Sequence, residues 1–347
     1  MEVTSDSPSG RYARQTLLSW IGERGQQKLA SARVAIVGCG ALGGTAAEQL
    51  ARAGVGHLTI IDRDIVELSN LQRQVLFDEE DARANLPKAV AGERRLRRIN
   101  SSIEIRGIVT DLIPENAEEL LDADLILDGT DNVETRYLIN DLAVKKGIAW
   151  IYAGCVGTEG RVMAVVPGKT ACLRCVFPQA PAMGELETCD SAGVLSPAAS
   201  VAASIQSGLA MRMIVGDEIE TGMIVFDLKS GRFNRIAQNQ ERRDDCPCCG
   251  RKDFEFLNAR GGSRAVSLCG RNSVQIRPAT GSTFPALSEV RRRLEAVGKV
   301  ELNQFLLRCA LKDPQGVSLT VFTDGRLMVH GVNEANRARS IVARCFG

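Results

Sequence analysis

The stretch RVAIVGCGALGGTAAEQL, residues 33–50, decides the fold. An apolar run from Val34 to Val37 meets Gly38, Gly40 and Gly43, and an alanine-rich helical pattern follows. A G-x-G-x-x-G turn between a strand and a helix lets backbone N–H groups and the helix N-terminus approach a phosphate closely. The turn therefore reads as a nucleotide site in an α/β fold. Taken alone it leaves NAD, FAD and ATP open.

Outward from the turn, residues 11–30 carry an amphipathic helical pattern, and apolar runs at Leu58–Ile61, Ile103–Val109 and Leu125–Leu127 alternate with helical segments. This βαβα rhythm predicts a mostly parallel, doubly wound sheet. After Ile151 the rhythm changes. GRVMAVVPG (160–168) and MIVFDLKSGRFNRIAQ (223–238) read as strands that extend the sheet into a mixed one. Between them, a Pro-, Gly- and Ala-rich segment over about residues 178–196 reads as a long crossover loop, and loops of that length are functional or mobile. A boundary falls near residues 255–263, giving a first domain over 1–255. Residues 263–347 read as β-α-β-β-α, a small α+β domain.

A chain of 347 residues has room for both domains. Its 44% hydrophobic and 24% charged content is that of an ordinary globular protein, and a net charge of +1 gives no electrostatic reason to expect nucleic acid or membrane as partner. The polar N-terminus lacks a secretory apolar core. Ser196–Val215, rich in small residues and interrupted by Gln206 and Arg212, reads as a packed helix. The cytoplasm is the expected location. There, eleven cysteines point to metal or reactive thiols, while two histidines, His57 and His330, give little support to a histidine-based catalytic pair.

Asp62, at the end of the second strand, suits the ribose hydroxyls of either NAD or ATP. The residues just beyond it favour a polyphosphate. Asn70, Gln72 and Arg73 lie directly after that strand, and Lys88 comes after a proline at a predicted helix start. Arg73 supplies a cationic fork and Lys88 a point charge. Asp128 and Asp131 in LILDGTDNVETR end the fourth strand at the carboxyl edge of the sheet, where a carboxylate beside phosphates is a natural Mg²⁺ ligand.

Cys172-x-x-Cys175 and Cys246-x-x-Cys249 form two CxxC pairs, the signature of a closed tetrahedral Zn²⁺ site. Cys248 is an extra thiol that either stands by or replaces a neighbour as ligand. Cys189, in the crossover loop, has the Gly-flanked setting of an exposed nucleophilic thiol. Cys39, Cys155, Cys269, Cys309 and Cys345 read as packing residues.

RYARQ, GCGALG, DxDxVxxSNLQRQ (Asp62 to Gln74), PKA, DGTDN, CLRC, TCDSAGV and CPCCG together resemble the ThiF/MoeB/HesA family, bacterial relatives of ubiquitin-activating enzymes, from Arg11 to Gly250. The resemblance implies ATP–Mg²⁺ binding by Gly38, Gly40, Gly43, Asp62, Ser69, Asn70, Leu71, Gln72, Arg73, Lys88, Asp131 and Asn132. It implies that Asp131 holds the Mg²⁺ and that Arg14 reaches the phosphates of a neighbouring subunit in a homodimer. It also implies structural zinc on Cys172, Cys175, Cys246 and Cys249, and possible carrier thiolation at Cys189. The implied reaction is adenylation of the C-terminal Gly-Gly carboxylate of a ubiquitin-like sulfur carrier, with a cysteine desulfurase or rhodanese as possible sulfur donor. Alternatives are adenylation of another carboxylate (a peptide C-terminus or a modified tRNA nucleoside), an NAD-dependent oxidoreductase, and a nucleotide-binding scaffold. Residues 263–347 do not resemble a rhodanese, and their role stays open.

Overall fold

The computed structural model describes residues 8–181, 189–237, 242–259, 265–268, 272–277 and 284–346, with backbone alone at 8–9, 189–190 and 265–268. The chain forms two compact units, residues 1–182 with 192–260, and residues 183–191 with 261–347.

In the first unit the expected amphipathic lead-in is broken into α1 (Pro8–Arg11), α2 (Ala13–Thr16) and α3 (Gly22–Ser31), with Gly22 at φ +54 starting the third. Next come β1 (Arg33–Val37), α4 (Ala41–Ala53), β2 (His57–Ile61), a 3₁₀ turn (Leu68–Asn70), α5 (Glu79–Arg83), α6 (Lys88–Ile99) and β3 (Glu104–Ile108). They lead to α7 (Pro114–Leu120), β4 (Leu125–Asp128), α8 (Val133–Lys146), β5 (Ala149–Val156) and β6 (Glu159–Val165). The unit ends with α9 (Leu173–Val176), α11 (Ser196–Val215), β7 (Met223–Asp227), β8 (Arg232–Ile236) and α12 (Glu255–Asn258), while α10 (Cys189–Ala192) begins in the segment 183–191 grouped with the second unit.

The eight strands lie in the order β3-β2-β1-β4-β5-β6-β7-β8. Pairing is parallel from β3 through β5 and antiparallel from β5 to β8. This is the mostly parallel sheet, extended to a mixed one, that the change of rhythm after Ile151 predicts. Strands covered by helices on both faces read as continuous apolar runs. Accordingly Val34, Ile36, Leu58 and Ile60 face a core with α4 and α11, while Ala35, Val37, Ile61 and Ile126 face one with α7 and α8. Helix α11 is apolar and long enough to cross a membrane by composition, yet it packs on α4, β5 and β6. Inside that packing Gln206 Nε2 donates to the carbonyls of Asp128 and Ile151 at 2.8 and 2.9 Å.

The second unit contains β9 (Ala265–Leu268), β10 (Ser273–Ile276), α13 (Leu287–Leu294), β11 (Gly298–Leu302), β12 (Leu306–Leu311), β13 (Ser318–Phe322), β14 (Leu327–His330) and α14 (Ala335–Phe346). Its strands form an antiparallel sheet in the order β11-β12-β13-β14-β10-β9. The α+β class is as expected, but the β-α-β-β-α order needs correction, because each segment read as one strand is a hairpin of two. Polar turn chemistry divides two of them. Asn303 Oδ1 accepts the N–H groups of Phe305 and Leu306, both at 2.9 Å. Asp324 Oδ1 accepts that of Arg326 at 3.1 Å, across Gly325 at φ +84. Cys269 lies outside the described residues.

Candidate active site and metal centre

Strand order reverses at β1. Its neighbour β2 leads outward to β3, whereas β4 comes back to its other side. Ligands in open α/β sheets bind at the carboxyl ends of the strands flanking such a reversal. Register makes that edge level, since Val37 stands opposite both Ile61 and Asp128. The glycine turn, Asp62 and the DGTDN loop therefore leave the sheet side by side.

Close backbone approach explains the glycines. A Cβ on Gly43 would lie 1.8 Å from the carbonyl oxygen of Gly38, and one on Gly38 would lie 2.6 Å from that of Gly129. Gly129 itself would meet Gly43 Cα at 2.7 Å. Sequence reading assigns no role to Gly129, although a glycine directly after an edge-reaching strand is an available signal. Gly40 caps α4, so the helix N-terminus opens at the turn.

Asp62 is buried, and its carboxylate accepts the N–H of Cys39 at 2.6 Å and of Asp64 at 2.7 Å. Burial pushes this carboxyl above the usual carboxylate range, and the Lys88 ammonium opposes the shift. Lys88 opens α6 after Pro87, 3% exposed, with Nζ 3.2 Å from Asp64 Oδ2. Arg73 donates to the carbonyl of Ser69 at 3.0 Å. Ser69 and Gln72 are exposed, Leu71 is half-buried, and Asn70 is buried, accepting the N–H of Glu67 at 3.1 Å.

Gln74 carries no site role in the sequence reading, yet its amide is the group nearest a Cβ at Gly40, 3.6 Å away. On the far side of the turn the two aspartates of DGTDN divide their work. Asp128 is fully buried, held by Arg136 Nε at 3.0 Å and by the N–H and hydroxyl of Thr130 at 2.9 and 2.7 Å. Asp131 is exposed, and Asn132 beside it caps α8 by accepting the N–H of Thr135 at 3.3 Å. Asp131 is thus the exposed carboxylate of the pair, while Asp128 braces the loop.

The cysteine pairs converge as their spacing predicts. The sulfurs of Cys172, Cys175, Cys246 and Cys249 all lie within 4.8 Å of one another and are buried. Tetrahedral Zn–S bonds of about 2.3 Å require S···S separations of about 3.8 Å. The contacts Cys172–Cys175, Cys172–Cys246 and Cys175–Cys249 are 3.9, 3.6 and 3.3 Å, so this donor set fits zinc. Asn140 of α8 ties the two pairs together, accepting the N–H of Leu173 at 2.8 Å and donating to Cys248 Sγ at 3.2 Å. Cys248 stands outside the group of four. Lys145, Lys146, Arg242 and Lys252 line a cavity of about 350 Å³ beside Cys249.

Arg14 is not gathered at this edge. It is exposed on α2, whose next residue, Gln15, donates to the carbonyl of Ala53 at the C-terminal end of α4 at 2.9 Å. A thirteen-residue helix is about 20 Å long, so α2 is anchored a helix length from the glycine turn. Cys189 begins α10, and its side chain lies outside the described residues.

Comparison with known proteins agrees with this geometry. Residues 12–248 match the ThiF family model. The chain is 44% identical over 340 residues to the sulfur carrier protein ThiS adenylyltransferase of Bacillus subtilis, covering 98% of this chain and 100% of that protein. The Escherichia coli protein of the same name is 39% identical over 245 residues, 69% of this chain and 94% of its own. Among solved structures, Escherichia coli MccB with ATP superposes at a TM-score of 0.61 and 26% identity, over 69% of this chain and 74% of that one. The chain belongs to the ThiF family.

Proposed function

We propose that this protein adenylates the C-terminal Gly-Gly carboxylate of a small ubiquitin-like sulfur carrier of the ThiS kind. ATP-dependent adenylation of a sulfur carrier protein is the activity of its family relatives, and the whole-length identity of 44% includes the second unit. The observation that carries the reading is the meeting of glycine turn, Asp62, Lys88 and Asp131 at the β1–β4 edge.

The carrier carboxylate attacks the α-phosphorus of ATP. A new C–O–P linkage forms, the bond to the β-phosphate oxygen breaks, and pyrophosphate leaves with that electron pair. A carboxylate is already ionised at pH 7, so no general base is needed, in keeping with a site edge that carries no histidine among the described residues. The work is to bring anions together and offset their charge. Asp62 holds the ribose and braces the turn, the α4 N-terminus and Lys88 face the phosphates, and Arg73 adds a fork. Asp131 holds Mg²⁺, which would shield the leaving pyrophosphate. The zinc cysteines clip the segment after β6 to the end of the unit.

Arg14 acts from a second copy of the chain. Beside it Leu17, Leu18 and Trp20 are 73, 47 and 41% exposed, an apolar face suited to that copy. The carrier docks at β8, the outer strand of the sheet, where Phe233 and Ile236 are exposed. Sulfur reaches the acyl-adenylate from a desulfurase or rhodanese, with Cys189 as the candidate thiol, in the cytoplasm. ATP–pyrophosphate exchange with purified protein, Mg²⁺ and each Gly-Gly-ending carrier of the same genome tests the reading. Exchange that one carrier stimulates, and that vanishes when its last glycine is removed, supports it. Tight ATP binding without exchange by any carrier moves the assignment to another carboxylate or to a scaffold.

A further inference from the structure

Lys88 is almost wholly buried, and an ammonium ion placed there without a partner would cost several kcal/mol. Its partner is the second aspartate of the DxD pair. Lys88 Nζ lies 3.2 Å from Asp64 Oδ2. The backbone fixes the same two residues, because the Lys88 N–H donates to the Asp64 carbonyl at 2.9 Å and Ile65 bridges Pro87. Behind Asp64 the charges keep alternating. Arg63 Nε lies 3.8 Å from Asp64 Oδ1, and Arg63 Nη1 lies 3.1 Å from Asp111 Oδ1. All four side chains are at most 17% exposed, so water screens this chain weakly.

We propose that Asp64 is a positioning residue for nucleotide binding. Its carboxylate holds the Lys88 ammonium at the start of α6, and the Arg63–Asp111 pair fixes Asp64 in turn. The proposal rests on the reading of Lys88 as a phosphate contact. Division of labour within DxD follows from the geometry. Asp62 touches the glycine turn and faces the ribose side, while Asp64, two residues on, touches the lysine. A lysine is a flexible point charge with a four-carbon stem, so its value to a phosphate depends on what preorganises it. A backbone bridge sets the stem and a carboxylate sets the head. When phosphate arrives, the ammonium can donate to both anions, since it carries three N–H bonds.

The test is a double-mutant cycle on nucleotide binding, read by calorimetry with Mg²⁺–ATP and with adenosine on the full chain. Asp64→Asn is expected to weaken ATP about tenfold or more and to leave adenosine within about twofold, because a displaced Lys88 matters to phosphates alone. Lys88→Ala should show the same pattern, and Asp64→Asn should add nothing in the Lys88→Ala background. Additive losses, or equal losses for adenosine and ATP, would overturn the proposal, and so would tighter ATP binding by Asp64→Asn. Should Asp64→Asn fail to fold, Asp111→Asn, two ion pairs away, must show a smaller loss for ATP alone, and no loss there also overturns it. A wild-type chain that binds ATP no better than adenosine would instead count against Lys88 as a phosphate contact. That failure is distinguishable, since Lys88→Ala would then be silent as well.

Discussion

The parallel half of the first sheet and the antiparallel sheet of the second unit share apolar, β-branched strands, yet they place polar residues in opposite ways. In the parallel half, every strand ends at the same edge, and Val37, Ile61 and Asp128 stand level there. Loops leaving that edge collect Asp62, Lys88 and Asp131 without any of them entering a strand interior. In the antiparallel sheet successive strands end at opposite edges, so no edge gathers the loops. Polar groups lie within the strands instead. Ser273 Oγ and Thr320 Oγ1 hold the two ring nitrogens of His330 at 3.0 and 3.1 Å, on the face opposite Val274, Leu319 and Val329. One topology concentrates reactive groups where a ligand can reach them, and the other satisfies its polar groups internally. Substitutions at the parallel edge should therefore cost activity, and substitutions in the antiparallel sheet should cost stability.

The largest effect belongs to neither sheet. Replacing Cys246 with Ser removes one of four cysteines that fit zinc, which when bound would supply about 10 kcal/mol or more to local folding. Bound zinc, measured by elemental analysis, should fall well below one per chain and the thermal transition should drop sharply. Full zinc content in the variant would mean that Cys248 can take over. Next comes Asp131→Ala, an exposed residue whose loss leaves the core intact. Pyrophosphate exchange should fall about a thousandfold, equivalent to about 4 kcal/mol of transition-state stabilisation, while the melting temperature stays within about 2 °C. Normal exchange would break the comparison at its first term.

The parallel half of the first sheet was legible because helical crossovers separate its strands, and β1, β2 and β4, largely buried, stand out as apolar runs. The same sequence features located the carboxyl edge. What they could not convey is which of two neighbouring aspartates is exposed and which is buried. Asp128 and Asp131 look alike in sequence, and only Arg136, eight residues beyond the first, reveals that Asp128 is consumed as a brace. Asp64 escaped notice for a related reason, since its partner Lys88 is far away in the chain. The hairpins of the second unit were merged because the spacers at Asn303 and Asp324 are only three and four residues long and flanked by apolar residues on both sides. The Asp324-Gly325 pair was the available hairpin signal. The four-cysteine cluster was legible throughout, because two CxxC pairs constrain geometry more tightly than any single glycine motif.

Within the antiparallel sheet, Leu319→Ala should lower stability by about 2–4 kcal/mol through the cavity it leaves in a fully buried position. Urea unfolding checks this, and the exchange rate of the folded fraction should not change. A fall in exchange that outruns the unfolded fraction would give the second unit a part in the chemistry.

The smallest effect tests where the carrier sits. Phe233 stacks on Phe226, ring centroids 5.2 Å apart, yet it is 55% exposed on the outermost strand of the first sheet. Core rings bury such area, so an aromatic left in water beside exposed Ile236 on an outer strand is best accounted for by a partner that covers it. Phe233→Ala keeps the Phe226 side of the core and removes the exposed ring. The KM for the carrier in exchange should rise about tenfold, equivalent to about 1.4 kcal/mol, with the KM for ATP unchanged, because the carboxyl edge lies four strands away across β4, β5, β6 and β7. Equal changes in both constants would place the defect in the fold of the sheet. An unchanged carrier KM would move the docking surface off β8 and confine the first unit's assignable chemistry to the β1–β4 edge.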